Sequence, residues 1–568
     1  MPHQQPPTDA FRPTPTSSYE DVIDRGLLTI PQATTLLGIM RTMLTASTFP
    51  YVIIDPTTTI HDLRRTKPMV LLSIFTAASW RDRDLQTVLE KAYLRELAER
   101  MMVRGEQTLD ILQSLLIHLA WCHLHLKSAY RLTAFAISIV IGLGLNRRRR
   151  AIPNTSAGGS GPGSSKNGEF PELPRGIRGM GAGPAAVAVG GELWPPEARR
   201  AYIGTYVICS SYAHALRKTG TLKWNAFLEE CALSLLPANQ ASTNFPHLPF
   251  QPRIPLPVPT DALLIHYVHL IHHAEDVCAT FQYDSSLGIP ALSDERLQFY
   301  VHSFDAALKS HVDAIPAELK EDVHLSTFIK MVSAYTHEIG LHGLSGPGQN
   351  GGYAYGSAPP ALSIPRTTIL VELLETVTAI LKTVTNMPSP AFNFLLGFQW
   401  ARVHYTLNLA VELSLGVDVP GWSLTNVRSI LELEKQIDLI CFRLRGIGLV
   451  IDGSKRNGEW FGFLRENWKE LRSKYVEGVR RRGIHVPETD AERRGREARE
   501  QAGSAGGMTP SQQLLQGNGG GSGSGLGQAR DVQMTDFDHI SPLGENWNLG
   551  VGDMDFMPNE WFWMMDEF

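Results

Sequence analysis

Residues 109–126, LDILQSLLIHLAWCHLHL, are the stretch on which the fold class turns. Ile111, Leu112, Leu115, Leu116, Leu119 and Leu126 recur with the 3.6-residue period that puts them on one helical stripe. Working outward, 32–46 and 84–102 carry weaker stripes of the same period. Pro50 and Pro68 punctuate the connections, since proline cannot continue a helix interior. Downstream, the spacing predicts helices over 198–218, 261–281, 293–310, 366–385, 391–415, 424–446 and 459–475. In the fourth of these, Ile369, Leu370, Leu373, Leu374, Val377 and Leu381 form the expected buried face. No segment alternates as a strand does. The expectation is all-α.

Low-complexity segments divide this helical pattern. A run of four arginines, Arg147, Arg148, Arg149 and Arg150, leads into SAGGSGPGSSKNG and RGMGAGPAAVAVGG, which read as a flexible insertion. A second Gly/Pro-rich loop covers 345–365, and 501–530 is rich in Gly, Ser and Gln. The expected organisation is a disordered N-terminus (1–18), a first helical part (19–150), a disordered linker (151–194) and a second helical part (195–475, with loop 345–365). A charged and then Gly/Ser-rich linker (476–530) and an acidic-aromatic tail (531–568) follow.

The 568 residues contain 43% hydrophobic and 19% charged side chains, with a formal charge of −5. That composition supports a core and excludes a uniformly basic nucleic-acid binder. The tail holds nine acidic residues and no Lys or Arg, so the remainder carries +4. Phe537, Trp547, Phe556, Trp561, Phe562, Trp563 and Phe568 are interleaved with that acid. Acidic residues keep exposed aromatics soluble, and Asn559–Phe568 could order as a short amphipathic helix in a partner's groove. The alternative is docking of these aromatics back onto the helical body. The arginine runs at 147–150 and at Arg480, Arg481 and Arg482 suit nuclear import or phosphate contact, against the plain alternative of a solvated edge.

Motifs for catalysis do not assemble. Gly181–Ala186 fits GxGxxA, but its flanks are linker where a dinucleotide site needs a strand and a helix. His337-Glu338-Ile-Gly-Leu-His342 resembles a zincin with its second histidine one position too far to share a helical face. His118, Cys122, His123 and His125 read as core or surface residues, and His272-His273 as a helix-surface pair. The cysteines at 122, 209, 231, 278 and 441 form neither a disulfide framework nor a CxxC module, which fits a reducing compartment. Leu132–Leu145 is too short to span a bilayer, for which about 20 apolar residues are needed. No membrane association is expected. No metal or cofactor residues and no catalytic residues are assigned.

Three blocks, in order, resemble the regulatory (middle homology) domain of fungal zinc binuclear-cluster transcription factors. The first is Tyr19–Leu27 with Phe49–Ile53 and Leu63–Pro68. The second is Leu109–Gln113 with Leu119-Ala-Trp121, closing at Leu143–Arg147. The third is Glu197-Ala-Arg-Arg200, Tyr206, Ser210-Ser211, Leu216-Arg217 and Lys223-Trp224 before Glu230. Weaker similarity continues through Phe392–Leu415 and Trp422–Leu444. The resemblance implies a large multi-helix regulatory domain in a nuclear regulator of RNA polymerase II transcription. Its partners would be coactivators or mediator-type proteins, and it would form a homo- or heterodimer. The family reads DNA through an N-terminal module in which six cysteines hold two zinc ions. The present sequence begins where that module would have ended, so zinc is expected for the family but not for these residues. DNA contact would then come from a missing module or a partner. A second expectation is an interaction partner of zinc-cluster factors without its own DNA binding, and a third an α-helical enzyme. In the Glu197–Arg200 word, arginines making ion pairs between helices are favoured over ligand contacts. Trp121 and Trp224 are expected as packing anchors.

Overall fold

The computed structural model describes residues 21–121, 126–150, 191–218, 220–236, 258–285, 289, 292–342, 361–417, 419–447 and 460–482. The expected N-terminal segment, most of the linker at 151–194, most of the loop at 345–365 and everything beyond residue 482 lie outside these.

Helix starts follow local chemistry. Helix α1 (Ile30–Ala46) opens on a capping box in which Thr29 accepts from the Gln32 N–H and Gln32 reaches back to the Thr29 backbone. Thr59 and Asp62 repeat the device at α2 (Ile60–Thr66). Helix α3 (Pro68–Ala78) has proline in its first turn, where no intrahelical N–H is lost, but Lys67 gives it no side-chain cap. The cap comes from elsewhere in the chain. Helix α4 (Arg83–Ala98) runs into a π-turn at Glu99–Val103. Beyond it α5 (Leu109–Trp121) brings Asp110 to the start of α3. There its carboxylate accepts from the Met69 N–H at 3.1 Å and the Val70 N–H at 2.9 Å.

Helix α5 is buried along its whole length, Gln113 and Ser114 included, rather than on one stripe. It packs on α3 and on the helix at Pro196–Ala215, so neighbours cover it on several sides. Helix α6 (Leu126–Leu143) is amphipathic rather than fully buried. Leu132, Ala136, Ile139 and Val140 face inward, while Arg131, Ser138 and Ile141 are exposed.

One departure from the all-helical expectation flanks the insertion. Arg149–Arg150 (β1) pairs antiparallel with Gly191–Glu192 (β2), a two-residue clasp that brings the ends of the insertion together. Helix α7 (Pro196–Ala215) then packs against α5 and α6, so helices on either side of the insertion share one hydrophobic core. Next come α8 (Ala226–Leu233), α9 (Asp261–Phe281), α10 (Asp294–Asp313), a single turn α11 (Ala317–Lys320) and α12 (Val323–His337). Helix α13 (Ile364–Asn386), started by Ser363 and Pro365, buries all six residues of the expected stripe.

The expected helix at 391–415 is broken into α14 (Ser389–Asn393) and α15 (Gly397–Val411), the latter continuing as a π-turn at Glu412–Gly416. The one expected at 424–446 is split at Glu432, whose φ of 45° ends α16 (Leu424–Leu431) before α17 (Leu433–Ile447). The last described helix, α18 (Trp460–Arg481), extends past residue 475 and buries Trp468, Tyr475 and Val479. Among the described residues no helix is long and apolar enough to cross a membrane.

Candidate functional site

Helix α7 organises the interior. At its first turn Glu197 pairs with Lys67, Arg199 bonds the Ser234 hydroxyl, and Arg200 grips Asp261 in a fork at 2.7 and 2.6 Å. Asp261 is fully buried and is the first residue of α9, so the Arg200 fork ties two helices together. The Glu197–Arg200 word is thus structural. Further along, α7 comes so close to the segment at 49–53 that a Cβ on Gly204 would lie 2.6 Å from the Tyr51 Cβ.

Just beyond α7 the chain turns through Arg217 at φ 52°, a left-handed conformation that non-glycine residues seldom adopt. Side-chain contacts hold it there. Its guanidinium pairs with Glu338 and lies 4.7 Å from the ring centre of Tyr283 and 5.4 Å from that of Tyr335. The Tyr405 hydroxyl donates to the second oxygen of Glu338 at 2.6 Å. Burial alone would raise the Glu338 carboxyl, but Arg217 and His342 hold it well below the usual range. Burial likewise opposes the charge on Arg217, yet Glu338 keeps that group firmly protonated.

Beside this pair, α7, α9, α12 and α15 enclose a small cavity. Ser211, His214, Tyr335, Arg402 and Tyr405 are among its lining residues. Burial, reinforced by the charges of Arg402, Lys223 and Arg217, pushes the His214 imidazole down to about 3, so it is neutral. Sequence reasoning did not single out Arg402. The signal was there: Arg402 is the one charged residue in 397–411, an otherwise apolar or neutral helix with no acid one turn away.

The basic residues fall into two groups. Arg147 is exposed, and its backbone carbonyl accepts from the Trp194 indole at 2.7 Å. Arg148 pairs with Glu230, and Arg149 and Arg150 form β1. Arg480 and Arg481 stand exposed in the last turn of α18, where a positive charge suits the helix dipole, and Arg482 follows directly. They belong to a helix end rather than to the charged linker expected there. Phe537, Trp547, Phe556, Trp561, Phe562, Trp563 and Phe568 lie outside the described residues, as do Gly181–Ala186, Cys122, His123 and His125.

His118 is fully buried and stacks on Tyr93 at 4.4 Å, and burial pulls it down to about 3. His272 and His273 are half-buried rather than a plain surface pair: His272 lies flat on Trp224 at 4.3 Å, and His273 meets Phe304 edge-on. Trp121, 2% exposed, packs on Phe49. Cys209, Cys231, Cys278 and Cys441 are free and buried, and desolvation raises each thiol, Cys231 to about 12.

The zincin-like histidines face different carboxylates. The Nε2 of His342 is 3.7 Å from Glu338, whereas that of His337 is 2.8 Å from Glu372 and 3.2 Å from Asp305. Five-residue spacing, with a 3-10 turn from Glu338 to Leu341, accounts for the divergence. Asp305, His337 and Glu372 bring three donor atoms within 4.8 Å of one another, the one such group among the described residues that could hold a metal ion. The same positions suit an imidazolium between two acids. Its Nδ1 meets the Ser333 carbonyl at 2.8 Å, and although burial opposes the charge, Asp305 raises the His337 pKa.

The chain is similar to known proteins over about 200 residues. It is 32% identical over 222 residues to the transcription factor himD of Aspergillus japonicus, a match covering 38% of this chain and 32% of that protein. The chain is similar to fungal transcription factors. Transcription factor opdL of Penicillium oxalicum is 30% identical over 198 residues (34% of this chain, 31% of the relative). Transcription factor pbcR of Emericella nidulans is 28% identical over 200 residues (32% and 23%). The matches span about a third or less of each relative's length. No protein-family profile matches the chain, and no solved structure matches it.

Proposed function

We propose that this chain is a nuclear regulator of RNA polymerase II transcription, with its helical body as the regulatory domain and residues 531–568 as an activation segment. The observation that carries the proposal is the similarity, over about 200 residues each, to three proteins named as transcription factors. The large buried cluster to which helices on both sides of the 151–194 insertion contribute supports one regulatory unit rather than a string of small domains. In this reading the tail's Trp and Phe residues engage coactivators or mediator-type proteins, weakly and reversibly because the segment must order on binding. Arg147–Arg150 and Arg480–Arg482 serve nuclear import. DNA contact is supplied by a zinc-cluster module or by a dimer partner that carries one.

The test is a reporter assay with the chain fused to a heterologous DNA-binding domain. Replacing Trp561, Trp563 and Phe568 together by Ala should reduce activation at least about tenfold, since burial of large aromatics dominates such interfaces. Unchanged activation would sink the activation segment while leaving the regulatory body untouched.

A further inference from the structure

The cavity between α7, α9, α12 and α15 measures about 50 Å³, room for a few heavy atoms. Ala215, Ala274, Phe328, Met331 and Val332 supply an apolar wall. Arg402 supplies a charge. Its Nη2 donates to the Ser211 hydroxyl at 2.7 Å, and its guanidinium sits 3.6 Å from the ring centre of Phe328. Among the described residues no carboxylate pairs with it. The groups of opposing tendency around it are the phenols of Tyr51 and Tyr267, which burial keeps protonated.

Arg402 is half-buried, and other buried or half-buried arginines are answered differently. Arg100, Arg200 and Arg366 each pair with a carboxylate, and Arg217 has Glu338. Arg443 is held by the carbonyls of Val384, Thr385 and Met387, and Arg199 lies near Glu230 and Asp261. A half-buried guanidinium without a counter-charge is only partly solvated, and in the wall of a largely apolar cavity it is complementary to an anion. His214, neutral, can hydrogen-bond the same guest without repelling or neutralising it.

We propose that this cavity binds a small aliphatic carboxylate, its charge met by Arg402 and its short tail lying against Phe328, Met331 and Val332. The planar guanidinium suits the two carboxylate oxygens, with one N–H already committed to Ser211. Binding would stiffen the contacts among α7, α12 and α15, since each supplies part of the wall. The assignment stands whether or not the chain regulates transcription.

Thermal unfolding of the full chain, titrated with formate, acetate, propionate and butyrate against sodium chloride of equal ionic strength, tests it. At least one carboxylate should give a saturable rise of about 2 °C or more. The matching neutral amide, propionamide for propionate, should not. Arg402→Met should abolish the response while far-UV circular dichroism stays unchanged, and Arg402→Lys should keep a weakened one. Absence of any saturable response, an amide that works as well as the acid, or an undiminished response in Arg402→Met would each overturn the proposal. Should Arg402→Met fail to fold, the acid-against-amide comparison on the unaltered chain decides alone. Reporter activity does not enter this outcome, so its failure and that of the transcription reading are distinguishable.

Discussion

Arg217 and Arg402 border the same interior region and differ in one respect. Arg217 has Glu338, which in turn accepts from Tyr405, so the charge on each side is answered and both groups stay ionised. Among the described residues Arg402 has the Ser211 hydroxyl and the rings of Phe328 and Phe398, with no carboxylate, and burial pulls it down to about 10. A closed pair holds helices together. An open charge leaves an interaction unmade, which is what a binding site retains.

The largest expected effect comes from histidines whose charged form burial disfavours. Burial lowers His118, His214 and His311 to about 3 and His266 and His404 to about 4. Their folded pKa values lie below the unfolded value near 6.5, so the unfolded chain takes up protons first as pH falls. Stability is therefore intact above about pH 6.5 and lost progressively as pH drops toward 4, by up to about 1.4 kcal/mol per histidine per pH unit. His337 works the other way: its raised pKa favours the fold at low pH, a contribution that fades as pH rises through that value. Urea midpoints at pH 7, 6 and 5 should fall steeply, and a flat profile would mean these imidazoles take up protons as readily in the fold as in the unfolded chain.

Next in size is the paired site itself. Arg217→Met leaves the buried Glu338 without its guanidinium and should cost about 3 kcal/mol, read as a lower urea midpoint at unchanged slope. The figure sits at the low end for buried pairs because the Arg217 side chain is 27% exposed. The same change at Arg402, in buffer free of carboxylates, should cost far less. Equal losses at the two positions would erase the distinction between a closed and an open charge.

How much of this was written in the sequence depends on the range of the interaction. The α13 stripe from Ile369 to Leu381 is local and periodic, and it was legible to the residue. The capping of α3 by Asp110 was not, since a carboxylate 40 residues downstream has no local signature. Helix α12, which supplies His337 and Tyr335, left no clear stripe in the sequence because it also buries His324, Thr336 and His337. The candidate site was half visible. Ser211 and Arg217 lie in the resemblance blocks, but that Arg217 meets Glu338, and that Arg402 meets no acid among the described residues, is decided by helices far apart in the chain.

Asp110 offers an intermediate case, a buried carboxylate answered by backbone N–H groups instead of a guanidinium. Burial pushes it up to about 6, against the pull of the Val70 and Met69 N–H groups, Arg100 and Lys67. Asp110→Ala should cost about 2 kcal/mol, because two N–H groups at the start of α3 lose their acceptor inside the core. Asp110→Asn, whose amide oxygen can still accept, should recover part of the loss in the same urea titration.

The smallest effect belongs to a pair that is closed but exposed. Arg481 sits 3.2 Å from Glu477 one turn earlier, with side chains 63% and 51% exposed. Solvent screens such a pair, and both long side chains lose freedom in making it, so Arg481→Ala should change stability by no more than about 0.5 kcal/mol. Pairing alone then accounts for little, and enclosure is what gives the Arg217–Glu338 contact its weight. The near-zero cost also makes the position useful for function. If replacing Arg480, Arg481 and Arg482 by Ala leaves the urea midpoint in place, any loss of nuclear accumulation in a fluorescent fusion reports transport and not unfolding. Retained nuclear accumulation, with Arg147–Arg150 also replaced, would remove the import role and leave Arg480 and Arg481 as the positively charged end of α18.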